Sequence, residues 1–184
     1  MFIQTEQTPN PATLKFLPGR EVMAQGTASF AVAEEAERSP LAQRLFEIDG
    51  VTGVFLGSDF ISVSKKGEQE WYLLKPAVLG VIMEHFVAGR PVVLEGESGS
   101  GHVDDGDDSE VVATIKELLD TRVRPAVAQD GGDIVFQGFE RGVVYLQMHG
   151  SCAGCPSSTT TLKMGIENML RHYIPEVVEV RAIN

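Results

Sequence analysis

The chain of 184 residues contains two cysteines, and they stand three apart in Cys152-Ala153-Gly154-Cys155. Thiols that close act as a unit: they pair as a redox disulfide or grip one metal centre. The run GSCAGCPSSTTTLKMGIENML falls between an expected strand and an expected helix. Pro156 suits the first turn of that helix, which makes Cys155 the candidate for the position just before it. Unpaired N–H groups and the helix dipole favour negative charge there, which lowers a thiol pKa and stabilises thiolates. Ser157, Ser158, Thr159, Thr160 and Thr161 add hydroxyl donors immediately afterwards.

Three chemistries compete for such a pair. The first is a dithiol–disulfide couple, since CxxC at a helix start is the thioredoxin arrangement. That fold presents its motif after a strand in a βαβ unit. Here the preceding element reads as an antiparallel hairpin with a three-residue turn, too short for a crossover helix, which weakens the reading. The second is zinc, whose closed sites need four ligands. Beside the cysteines the chain offers His85, His102, His149 and His172. His102 lies in an acidic tract, His85 in the other half of the chain, and His172 about four turns along the next helix. Only His149 is near. The third is an iron–sulfur cluster, which usually takes four thiolates. One chain supplies two, so a cluster would bridge two copies and be exposed enough to hand on. Buried small residues without chemistry are the remaining possibility.

The elements that must position these thiols read as two small halves. Upstream, strands are expected near Phe2–Thr5 and Thr13–Leu17, and a helix over Pro40–Ile48 capped by Ser39. A hairpin follows across Gly57-Ser58-Asp59, from Val51–Leu56 to Phe60–Ser64, and then a helix from about Leu74 to Ala88. Downstream, Val112, Ile115, Leu119, Val123 and Ala126 recur at helical spacing, and Gly131-Gly132 ends that region. A second hairpin joins Ile134–Phe139 to Val143–Met148 across Glu140-Arg141-Gly142. The last helix carries Leu162, Ile166, Met169 and Tyr173 and stops before Pro175. A short strand with Val178 and Val180 ends the chain. Asp130-Gly131-Gly132-Asp133 reads as a tight turn rather than a lining of the site, and Pro9-Asn10-Pro11 as a stiff turn. Trp71 reads as a packing residue, and Lys163 and Arg171 as solvated helix charges.

The net charge of −11 is unevenly spread: residues 95–110, EGESGSGHVDDGDDSE, hold seven acidic groups and no lysine or arginine. So polar a tract cannot bury enough surface to offset its ordering entropy. It is expected to be a flexible acidic linker between domains at 1–94 and 111–184. The fold class is therefore α+β, two small domains that each pack helices on one face of an antiparallel sheet. No basic stripe points to nucleic acid. No apolar run is long enough to span a bilayer. No signal or transit peptide is visible, so the expected compartment is the cytoplasm, or the chain is already processed. No Ser/His/Asp set, carboxylate pair or nucleotide loop points to an enzyme.

With these motifs together, the sequence resembles the NifU-like (Nfu) family of iron–sulfur cluster carriers. The C-terminal resemblance rests on IKELLDTRVRP, the DGGD turn, GSCAGCPSS and TLKMGIENMLRHYIPEV. The N-terminal one rests on QTPNPATLKFLPG, SPLAQRLFEIDGVTGVFLGSDFISVSK and WYLLKPAVLGVIM. The resemblance implies an Nfu N-terminal domain and a NifU-like C-terminal domain. It implies a [4Fe–4S] cluster bridging a homodimer through Cys152 and Cys155. It also implies receipt from upstream assembly proteins and delivery to apo-enzymes such as lipoyl synthase or aconitase-type clients. Ligand exchange, not catalytic turnover, would be the chemistry. A bacterial cytoplasmic protein is the simplest case under this resemblance, and a mature mitochondrial matrix form is the alternative.

Overall fold

The computed structural model describes residues 2–94, 110–152 and 156–183, with the backbone alone for 156–159. Cys155, His102 and almost all of the acidic tract lie outside the described residues. The chain divides into two compact units, Met1–Ser100 and Gly101–Asn184.

The first unit is built on a five-stranded sheet with spatial order β1-β2-β5-β4-β3. Its strands are β1 (Gln4–Gln7), β2 (Thr13–Leu17), β3 (Ala28–Phe30), β4 (Val51–Leu56) and β5 (Ile61–Lys65). Every neighbouring pair is antiparallel. Alternation places Leu14, Phe16, Phe30, Val54, Leu56, Ile61 and Val63 on one face. There they meet Leu41 and Leu45 of α1 (Pro40–Phe46) and Val78, Ile82 and Phe86 of α2 (Trp71–Val87). Ser39 caps α1 as expected: its hydroxyl accepts from Ala42 N at 3.1 Å and donates to Val92 O at 2.6 Å. The same hydroxyl thus fixes a helix start and the segment leaving α2.

That segment is held twice more. His85, fully buried, makes a hydrogen bond from Nε2 to Pro91 O at 3.0 Å, and Leu94 N donates to Arg38 O at 2.7 Å. The Pro9–Pro11 turn is stitched as expected, with Asn10 Oδ1 accepting from Ala12 N at 3.0 Å and Thr8 Oγ1 donating to Asn10 O at 2.8 Å. Trp71 closes over it, its indole N–H donating to Pro11 O at 3.1 Å. Strand β3 and a 3₁₀ turn at Ala33–Arg38 were not expected from the sequence.

The second unit opens with α3 (Glu110–Leu118), a π turn at Leu119–Val123, and α4 (Arg124–Gln129). The sequence pattern reads as one helix, and Pro125 supplies the reason for the interruption. It has no N–H to donate and its ring crowds the carbonyl one turn back, so the helix widens there. Strands β6 (Gly132–Glu140) and β7 (Val143–Gly150) form the expected antiparallel hairpin. Its turn is two residues, not three: Arg141 at φ 51° and Gly142 at φ 81°. Helix α5 (Pro156–Tyr173) then crosses over to β8 (Glu179–Ile183). That last strand lies parallel to β7, in register from Val143 opposite Glu179 to Gln147 opposite Ile183. Ile134, Phe136, Val144, Leu146 and Val180 of the sheet pack with Ile115, Leu119, Val127, Ile166 and Leu170 of the helices in one core. The α+β class holds for both units, but the second sheet is mixed rather than wholly antiparallel as expected, because the crossover through α5 brings β8 back parallel to β7.

Candidate functional site

Cys152 stands two residues beyond the end of β7, 6% exposed and packed into the apolar core of its unit. The register of the hairpin decides what lies next to it. Gly132 pairs with Gly150 and Asp133 with His149, so the first residues of β6 run alongside the approach to the thiol. A Cβ placed on Gly132 would lie 2.6 Å from Cys152 Sγ, 2.9 Å from His149 O and 3.2 Å from Cys152 N. No side chain fits there. The sulfur occupies space that glycine alone leaves open.

The DGGD segment is therefore both a turn and a wall of the site. Gly131, at φ 80°, makes the turn out of α4. Gly132 borders the thiol. The two strand ends are also tied directly, by Ser151 N donating to Gly131 O at 3.2 Å and by the Ser151 hydroxyl donating to Asp130 O. Reading DGGD only as a turn missed this second role, because a turn glycine and a contact glycine look alike until strand register is known.

Asp133, the last residue of that motif, is buried with a side chain only 4% exposed. Its carboxylate accepts from Arg124 Nε at Oδ1 and from Arg124 Nη2 at Oδ2, both at 2.8 Å. Oδ1 also accepts from Ile134 N at 2.8 Å. Arg124 Nη1 donates to Asp120 Oδ1 at 3.1 Å. The hydrogen bonds to Asp133, opposed by burial, raise the guanidinium pKa further above its already high value. Burial pushes the His149 imidazole below its ordinary range, against the attraction of Asp133 and with the help of Arg124. His149 is thus favoured neutral beside the site. Of the other expected zinc candidates, His85 is buried in the first unit and His172 stacks edge-on with Tyr173 at 5.1 Å. Among the described residues no group of three or more His, Cys, Asp or Glu is placed to hold a metal ion.

One ground of the sequence reading is overturned. The cysteine motif follows β7 and precedes a crossover helix that leads to a parallel strand, so it does sit in a βαβ unit. The hairpin that suggested otherwise is β6–β7. The crossover lies on the other side of the motif, where pairing between distant strands cannot be read from local pattern. Topology therefore does not weigh against a redox dithiol. The burial of Cys152 does, since reactive redox cysteines sit partly exposed, and a cluster shared between copies would equally need this thiol to open.

Comparison with known proteins agrees with the motif reading. Residues 3–89 match the family model described as "Scaffold protein Nfu/NifU N terminal", and residues 115–181 match the NifU-like domain. The human protein named "NFU1 iron-sulfur cluster scaffold homolog, mitochondrial" is 54% identical over all 184 residues, which span 72% of its length. The Drosophila sechellia protein of the same name is also 54% identical over the whole chain, which spans 65% of it. A solved NifU-like protein from Saccharomyces cerevisiae is 25% identical over 52% of this chain and 86% of its own, with a TM-score of 0.47. Among the described residues no helix is long and apolar enough to cross a membrane. Both halves of the chain, in order, match the two family domains, and the chain belongs to the Nfu/NifU scaffold family.

Proposed function

We propose that this chain is an iron–sulfur cluster scaffold and carrier that holds a [4Fe–4S] cluster between two copies, each supplying Cys152 and Cys155. The observation that carries this reading is the placement of the chain's two cysteines inside its NifU-like segment, with the sulfur of Cys152 seated against a glycine. The donor set fits the cargo in kind and in half the number, since such clusters usually take four thiolates. Two copies complete the set. Each iron–thiolate bond to the carrier is then exchanged for one to the client, with no change in what is carried and no catalytic turnover. The clients fitting that chemistry are apo [4Fe–4S] enzymes, of which lipoyl synthase and aconitase-type proteins are examples, and upstream assembly proteins supply the cluster.

In this reading residues 1–94 and 111–184 work as two domains and residues 95–110 as their tether. The names of the human and fly relatives place those proteins in mitochondria, which favours a mitochondrial matrix protein over a bacterial cytoplasmic one. Fractionation of the source cells with an antibody to the chain decides that point.

Anaerobic reconstitution with iron and sulfide tests the reading. About four irons per two chains, a dimer by light scattering and a broad thiolate-to-iron band are the expected result. Loading that persists after Cys152→Ser with Cys155→Ser would overturn it. The βαβ placement of the motif supports a second reading, a thiol–disulfide oxidoreductase. That reading requires reduction of insulin disulfides by the metal-free protein, and the cluster reading requires none.

A further inference from the structure

We propose that Arg124 is a positioning residue for the Cys152 thiol, acting through Asp133 and Gly132. The inference rests on the assignment of Cys152 as a cluster ligand. Arg124 opens α4, directly after the π turn, and its guanidinium reaches the first residues of β6. A buried carboxylate needs a partner, and Asp133 has a two-pronged one at 2.8 Å on each oxygen. Such a fork fixes direction as well as distance, which an ammonium cannot do. Asp120, one turn earlier, holds the third nitrogen of the same guanidinium at 3.1 Å.

The consequence reaches the sulfur in one peptide unit. Asp133 is bonded to Gly132, whose open α-carbon lies against Cys152 Sγ. The third hydrogen bond of the Asp133 carboxylate, from Ile134 N, locks the backbone on the other side of the same residue. Ser151 ties the facing strand end to Gly131 and Asp130. The guanidinium thus fixes one wall of the thiol pocket, and the serine fixes the other wall to it. If the fork is lost, the wall can swing and the thiol opens to solvent. The plainer role, a staple joining α4 to β6, predicts lost stability without any selective effect on the thiol.

The test compares the full-length apo protein with Arg124→Lys, Arg124→Gln and Leu170→Ala. The last removes a fully buried core side chain of the same unit and serves as a stability control. Iodoacetamide labelling of Cys152 is followed by peptide mass spectrometry at a temperature where all variants remain folded by circular dichroism. Positioning predicts labelling faster by roughly fivefold or more in both Arg124 variants, the lysine included, and near wild type in Leu170→Ala. After reconstitution, the Arg124 variants should lose iron to a chelator faster and show a changed visible circular dichroism spectrum. Wild-type labelling in Arg124→Lys, or equal acceleration in Leu170→Ala, overturns the proposal. Failure of the wild type to load iron overturns the cluster reading instead, and the labelling ratio still decides the role of Arg124.

Discussion

At the scale of single residues, two groups have consequences that can be measured. Gly132 is the first. Its replacement by alanine would drive a methyl to 2.6 Å from the Cys152 sulfur and 2.9 Å from a backbone oxygen. The oxygen is main chain and does not yield easily, so the thiol moves. Gly132→Ala should lower stability by about 1–3 kcal/mol in urea titrations. It should also cut iron loading more than that stability loss accounts for. His85 is the second. It is buried in the first unit, its Nδ1 has no hydrogen-bond partner among the described residues, and burial, with Arg44 and Arg90 assisting, lowers its pKa below 6.5 despite the hydrogen bond to Pro91 O. The unfolded chain therefore takes up this proton first as the pH falls. The stabilisation is complete above 6.5 and is lost as the pH drops from there through the folded-state value. Thermal melts from about pH 8 to about pH 5 should show the first unit softening, and His85→Gln should flatten that profile.

At the scale of elements, the β6–β7 turn offers a matched pair of tests. Arg141 is held at φ 51° and Gly142 at φ 81°, the signature of a two-residue turn that suits hairpin twist. Arg141→Asn should stabilise the unit by about 0.5 kcal/mol, because asparagine tolerates that backbone region better. Gly142→Ala should cost about 1–3 kcal/mol. Its methyl would meet Val178 at 2.7 Å in addition to the backbone penalty. Denaturant midpoints for the two variants should move in opposite directions. These elements also show what a sequence can disclose. Ser39-Pro40 announces α1, the alternation around Gly57–Asp59 announces a hairpin, and Pro175 announces the end of α5, because each signal is local. The parallel pairing of β7 with β8 was not legible, since the choice of strand partner depends on residues more than thirty positions apart. Strand β3 spans three residues, too few to show alternation. The Arg124–Asp133 fork crosses nine positions and carries no periodic mark. The thiol pair was legible from two letters of the sequence, and the glycine against Cys152 was not.

At the scale of the whole molecule, the described residues form two apolar cores, one drawn from residues 3–93 and the other from residues 111–180. Each unit thus has the means to fold alone. A protease given brief access should cut first within residues 95–110, where acidic and glycine-rich sequence favours cleavage over packing. Two fragments with separate thermal transitions should result, and the C-terminal one should keep the capacity to load iron. Cleavage inside either half before the acidic tract would contradict the two-domain division.

The ladder between Val143–Gln147 and Glu179–Ile183 closes a ring of main chain, and both cysteines lie on its circumference. A ring clasped in this way couples its clasp to its contents. β8 is the outer strand of its sheet, reached from one side only through β7. Loosening that outer strand removes one of the ties, beside the packing of α5, that bound the arc carrying the cysteines. If the cysteines hold a cluster as proposed, their hold is in this way tied to a strand distant from them in the sequence.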